Sequence, residues 1–278
     1  MSLLSAEAAR EELLQLLRDR PSPFPYDEAA LRVEAFECSS LDPGPSRRVL
    51  NELAAAAAIH APDAPGPRER LAALGRALYE DGGLRGDREL YYDLSNSLLS
   101  QVLERRRGIP ISLAAVVLGV SRRLEWSVYP VNFPAHFLVA AASAAETAVL
   151  DPFDGLLLGP EELGERWRLA TGEEPPPPAG VLEPADPAGV VVRMLNNIRM
   201  LHVREQRYEE AARTTELVAR IDSSNPLHQR DLALLYLRAG DRERAAEHLE
   251  TYVERCPEGP DVPALRRHLG ALRSRPEA

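Results

Sequence analysis

Between residues 4 and 80, apolar positions recur with the spacing that gives a helix one buried face. Leu13, Leu14, Leu16 and Leu17 gather on one side of a segment covering 4–20, with acids and arginines elsewhere. Ala29, Leu31, Val33 and Phe36 do the same in 28–38. Ser46 is placed to cap a third helix that runs through the alanine stretch 54–58. The proline-rich stretch 61–67 breaks the pattern, and a further helix reaches Glu80. The glycines and aspartates of 81–87 mark a loop. Ser95 or Asn96 opens the next helix, with Leu98, Leu99, Val102 and Leu103 inward. Arg105, Arg106 and Arg107 close it where positive charge suits a helix C-terminus, and Gly108 fits the cap.

Pro110 suits a first helical turn, where its missing N–H costs nothing. Residues 111–124 are apolar almost all round, the pattern of a helix buried at a domain centre. The period then changes to that of strands, over 128–133, 136–141 and 147–150, with turns at Pro134 and around 143–146. A buried helix followed by a small antiparallel sheet predicts an α+β domain over 1–171. Residues 172–189, with four consecutive prolines, read as an extended, semi-rigid linker. Residues 190–278 read as all-helical repeats. Arg207-Tyr-Glu-Glu-Ala-Ala212 and Asp241-Arg-Glu-Arg-Ala-Ala246 align at a spacing of 34 residues, the tetratricopeptide (TPR) period. Ile198 and His202 in the first copy, and Leu232, Ala233 and Tyr236 in the second, occupy inner positions. A last helix, 263–273, caps the array.

Composition removes whole classes of chemistry. The 278 residues carry a net charge of −10, which disfavours nucleic-acid binding through a basic face. All 33 basic residues are arginine, so neither a Walker-type phosphate loop nor Schiff-base chemistry is available. Cys38 and Cys256 stand far apart and read as reduced structural thiols, and no Cys/His cluster has zinc spacing. No apolar run is long enough for a membrane span, and no secretory signal is evident, so the expected compartment is the cytoplasm. No cofactor or metal is implied, and the oligomeric state is left open.

Four strings carry more than this. They are Asp81-Gly-Gly-Leu-Arg-Gly-Asp-Arg-Glu-Leu-Tyr-Tyr-Asp-Leu-Ser-Asn96, Arg107-Gly-Ile-Pro-Ile-Ser-Leu113, Asn132-Phe-Pro-Ala-His-Phe-Leu138 and Leu150-Asp-Pro-Phe-Asp-Gly155. In this order the chain resembles the SirB-type transglutaminase-like/TPR family of bacterial proteins, over nearly its whole length. One departure is Ala135, where the resemblance leads one to expect glycine. It implies a papain-like core in which a cysteine at the start of a buried helix is served by a histidine on one strand and an aspartate on the next. By position these are His136, grouped on a strand face with Leu138 and Ala140, and Asp151. Pro110 stands where the thiol belongs. Neither Cys38 nor Cys256 is at that place.

Two readings follow. The first is a non-catalytic binding or adaptor protein, with a regulatory role open, whose TPR segment presents a groove to a protein or peptide. The second is a hydrolase or acyl transferase acting on peptide or amide bonds, with Ser112 replacing the lost thiol beside His136 and Asp151. Ser112 lies two positions along the helix, rotated by roughly 200° from the expected face, and can equally bond to backbone in the first turn. Asp87, Tyr91, Tyr92, Asp93 and Asn96, with Pro110, are candidates for the lining of the same cleft or for turn and cap formers.

Overall fold

The computed structural model describes residues 3–61, 63, 65–174, 177, 180–259 and 261–273. The chain divides into two units, Met1–Met194 and Leu195–Ala278. In the first, α1 (Ala6–Asp19), α2 (Tyr26–Glu37), α3 (Gly44–His60), α4 (Pro67–Gly75), α5 (Leu99–Arg105) and α6 (Pro110–Arg123) precede a sheet. Two short pairings tie loops together: β1 (Leu4–Ser5) with β2 (Ser40–Leu41), and β3 (Arg85–Gly86) with β4 (Arg107–Gly108). The four-stranded antiparallel sheet runs in chain order through β5 (Tyr129–Val131), β6 (Leu138–Ala142), β7 (Thr147–Asp151) and β8 (Leu156–Leu158). A helix α7 (Pro160–Thr171) follows and lays Trp167 against a core of Val131, Phe133, Leu138, Ala140, Val149 and Leu158. This is the α+β architecture the hydrophobic pattern predicts.

The centre of the unit is α6, whose residues from Ile111 to Ser121 are all buried. Its contact with α2 is close because Gly119 has no side chain. A Cβ there would come within 2.6 Å of the Asp27 Cβ. The fully buried Asp27 carboxylate accepts from Arg122 Nη2 at 3.1 Å and Arg123 Nη1 at 2.7 Å, so the buried charge is paired on arrival. From α2, Glu34 accepts the Ser100 N–H at 2.8 Å and the Ser100 hydroxyl, covering open donors in the first turn of α5. Burial holds the Glu34 pKa above the usual carboxylate value.

Several local expectations change. The third helix begins at Gly44, ahead of Ser46, with the Gly44 N–H donated to Asp42 Oδ1 at 3.0 Å. The helix expected to reach Glu80 finishes in a π-helical turn, Arg76–Asp81. Leu94–Asn96 forms a separate 3-10 turn capped by Asp93, and α5 starts only at Leu99. The left-handed cap of α5 is Arg106 rather than Gly108, because Gly108 is drawn into the pairing with Gly86. His136 lies ahead of β6 and not on it. The strand β8 and the helix α7 have no counterpart in the sequence reading. Of the proline run, residues 175, 176 and 178 lie outside the described residues.

The second unit begins within α8 (Pro187–Arg204), which is followed by α9 (Tyr208–Ile221), α10 (Leu227–Ala239), α11 (Arg242–Arg255) and α12 (Val262–Arg273). Its helices pack through the small residues of the repeat. Ala211, Ala212 and Ala245 are fully buried with Leu232 and Tyr236, so neighbouring helices approach closely. Gly240 turns the chain between α10 and α11 with φ 87°. Among the described residues no helix is long and apolar enough to cross a membrane. A Gly119→Ala variant is expected to lose about 1–3 kcal/mol, the usual cost of overpacking, measured by urea unfolding. An unchanged midpoint would show that α2 and α6 are less tightly joined than described.

Candidate functional site

His136 is presented by a tight turn. Its N–H donates to the Phe133 carbonyl at 3.0 Å, Pro134 takes the second place of the turn, and Ala135 takes the third with φ 58°. That is a type II arrangement, and it favours glycine at the third place because a Cβ is strained there. The residue departing from the family pattern is thus the one carrying the positive φ. Phe133 and Phe137, each 1% exposed, anchor the turn on both sides and leave the imidazole half-exposed. Burial and the neighbouring Arg166, with a smaller contribution from Arg193, lower the His136 pKa from 6.5, against the pull of Asp151. The ring is therefore neutral at pH 7, and it makes no hydrogen bond to any described hydroxyl, thiol or carboxylate.

Asp151 ends β7, and its carboxylate is committed elsewhere. Oδ2 accepts from Arg166 Nη2 at 2.7 Å, and Oδ1 accepts the Phe153 N–H at 2.9 Å. The loop after it is locked from outside. Tyr79 donates to the Pro152 carbonyl at 2.6 Å, and the Gly86 N–H donates to Phe153 O at 2.8 Å. Gly155 has φ 71°, and a Cβ on it would come within 2.3 Å of the Tyr79 ring. Arg166 and Arg193 are the residues sequence reasoning missed. The helix that carries Arg166 has ordinary signals, Pro160 at its start and Gly172 in the left-handed conformation at its end. That its arginine reaches Asp151 is a tertiary fact that no local pattern encodes.

The remaining candidates separate into two groups. Asp87, Asn96 and Ser112 are buried and joined. Asn96 Nδ2 donates to Leu90 O at 2.6 Å, and Oδ1 accepts from Arg105 at 3.1 Å. Asp87 accepts the Leu90 N–H at 2.9 Å and pairs with Arg105 at 3.3 Å. Ser112 Oγ donates to Asn96 O at 2.6 Å and accepts the Ile109 N–H at 3.1 Å. The Leu90 N–H lowers the Asp87 pKa, assisted by Asn96, Arg107 and Arg105. Pro110 occupies the first position of α6, partly exposed. Asp93 accepts from Ser95, so it is a cap. Tyr91 and Tyr92, by contrast, are 41% and 54% exposed and meet edge to face at 5.2 Å. Tyr91 also meets Phe153 at 6.2 Å.

Elsewhere on this unit a groove of about 930 Å³ is lined by Phe24, Tyr26, Trp126, Tyr129 and Pro130, with arginines that already have partners. Arg20 pairs with Asp186 and Arg122 with Asp27. Among the described residues no group of three or more His, Cys, Asp or Glu side chains is placed to hold a metal.

A family model described as the transglutaminase-like superfamily matches residues 46–196, and a tetratricopeptide-repeat model matches 198–270. A UPF0162 protein of Xylella fastidiosa strain Temecula1 is 38% identical over 204 residues, covering 72% of this chain and 73% of that one. The YchA protein of Escherichia coli K12 is 31% identical over 210 residues, covering 73% and 76%. Protein SirB1 of Salmonella typhimurium is 29% identical over the same length, 210 residues. No solved structure matches the chain significantly. The chain belongs to this family of transglutaminase-like proteins with a C-terminal TPR segment.

Three outcomes follow from the geometry. The His136 imidazole, followed by NMR, should titrate below 6.5, and Arg166→Gln should raise its pKa by removing a cation and releasing Asp151. No movement would mean that Arg166 does not act on the ring. Asn96→Ala should cost about 2–4 kcal/mol, because it removes two buried hydrogen bonds, one to the Leu90 carbonyl and one from Arg105, with faster amide exchange across 87–96. Asp87, ionised more readily in the folded chain, contributes stability at neutral pH that fades as pH falls below about 4. Asp87→Asn should flatten that part of the pH–stability curve.

Proposed function

We propose that this chain is a non-catalytic binding protein, pairing a transglutaminase-like core that has no nucleophile with a TPR segment that engages a protein or peptide partner. The observation that carries this reading is the state of Ser112. Its hydroxyl is buried, donated to the Asn96 carbonyl at 2.6 Å and bonded to the Ile109 N–H at 3.1 Å. A serine nucleophile needs a base within hydrogen-bond reach of its proton. Here that proton closes a loop instead. Pro110, at the helix start where a thiol would gain from the helix dipole, has no reactive atom. Asp151, held by Arg166, is not orienting the His136 ring.

Support for the partner half lies in the second unit, since TPR segments generally mediate protein–protein contacts. A groove of about 310 Å³ between α10, α11 and α12 is lined by Ala233, Leu234, Leu237, Leu249 and Leu265. Leu234 is 51% exposed at its edge. An apolar helix face fits such a lining.

The test is turnover. The full chain, supplied with p-nitrophenyl esters, amides and casein-derived peptides, is expected to show no hydrolysis or acyl transfer that depends on His136. Ser112→Ala should reduce stability by about 1–3 kcal/mol by removing the buried hydrogen bond to the Asn96 carbonyl, and should leave any background turnover as it is in the parent chain. Turnover abolished by both His136→Ala and Ser112→Ala in folded protein would reverse the reading in favour of the acyl-transfer enzyme.

A further inference from the structure

Several arginines of the first unit are paired with a carboxylate: Arg32 and Arg47 share Glu28, Arg105 and Arg107 share Asp87, and Arg166 holds Asp151. Arg193 has none among the described residues. Its guanidinium lies over the Phe137 ring, 5.2 Å from the centroid, and makes one long hydrogen bond, 3.4 Å, to Asn132 Oδ1. Burial lowers its pKa while Tyr91 opposes this, so the group is partly desolvated without a counter-charge. An arginine remains charged in such a place, and the uncompensated charge attracts an anion. The neighbours are specific. His136, next to Phe137 in the chain, lies within electrostatic reach of both Arg166 and Arg193, which add to burial in lowering its pKa. Asp151, the acid that acts on His136, is occupied by Arg166.

The aromatic surroundings narrow the class of anion. The guanidinium lies over the Phe137 ring, and its planar fork suits a two-oxygen acceptor. Tyr91, within electrostatic reach of Arg193, joins Tyr92 and Phe153 in an aromatic edge, and Leu90 beside them is 58% exposed. The whole protein is anionic at −10, so long-range attraction does not gather anions here and selectivity rests on the local group.

We infer that Arg193, flanked by Asn132 and His136, binds a carboxylate carried beside an apolar side chain, the chemistry of a peptide acid, with the Tyr91–Tyr92 edge receiving the apolar group. This rests on the binding reading of the core given above. The carboxylate has two possible sources, the end of a peptide chain or an acidic side chain next to an apolar residue, and a single experiment separates them.

The probes are N-acetyl-phenylalanine, its primary amide, and the side-chain acid N-acetyl-aspartyl-phenylalaninamide. Each is titrated into the full chain at pH 7 with the His136 imidazole signals as reporter. The free acid is expected to bind at least tenfold more tightly than the amide, a difference of about 1.4 kcal/mol. Arg193→Met should remove that preference, and Arg193→Lys should restore only part of it, because an ammonium lacks the planar fork. Unchanged thermal unfolding of the variants would exclude misfolding as the cause. If the aspartyl probe binds like the acid, side-chain carboxylates are accepted; if it binds like the amide, the chain end is required. Equal affinity for acid and amide, an acid preference that survives Arg193→Met, or tighter binding of inorganic phosphate than of the acid overturns the assignment. Free phenylalanine released from the probe would instead overturn the non-catalytic reading, and leave the carboxylate site standing.

Discussion

Asn96 is an amide with no access to water, and every group on it is used. In a medium where an unpaired polar group costs more than a hydrogen bond normally contributes, such a residue dictates the positions of its partners. The loop carbonyl of Leu90, the Arg105 guanidinium and the Ser112 hydroxyl must all arrive together. Asp87 repeats the demand from the other side by holding the Leu90 N–H and Arg105. The loop 87–96 is thereby sewn to the start of α6. Tyr91 and Tyr92 face outward because the residues around them are committed inward.

The same logic explains why the conspicuous strings in the sequence are spread along the chain. Gly86 and Asp87 meet Phe153 and Gly108, and Arg105 meets Asp87. Three segments distant in sequence, 81–96, 107–113 and 150–155, form one interlocked set of loops around the β7 end, so an altered residue in one is felt in the others. The motif is a description of mutual satisfaction as much as of chemistry. Ser112 illustrates this most directly: a hydroxyl in the first turn of a buried helix is here a clasp, bonded to the Asn96 carbonyl and the Ile109 N–H.

Periodicity made the helices, the buried α6 and the repeat of the second unit legible, because each depends on which face of a local element is apolar. Ends were less legible. Ser46 and Gly108 carry good cap chemistry, yet Asp42 and the left-handed Arg106 fill those roles, since pairing of β3 with β4 and the entry into α3 decide where the helices stop. The alternation around His136 is that of a strand, yet the proline and positive-φ alanine before it place it in a turn. Arg166 and Arg193 were invisible as site residues. An arginine's reach extends across elements, and only packing reveals whether a carboxylate waits at the other end.

The Arg166–Asp151 pair has a consequence for anyone wishing to rebuild a thiol enzyme on this scaffold. Replacing Pro110 by cysteine would install a sulfur at the helix start, but the aspartate would remain clamped and the imidazole free to rotate and take either tautomer. Such a design would require disengaging an arginine on α7 at the same time, and the relief of one ion pair would expose a buried carboxylate until the imidazole turned to meet it. A thiol at the helix start and a released Asp151 are two separate requirements, and no single substitution meets both.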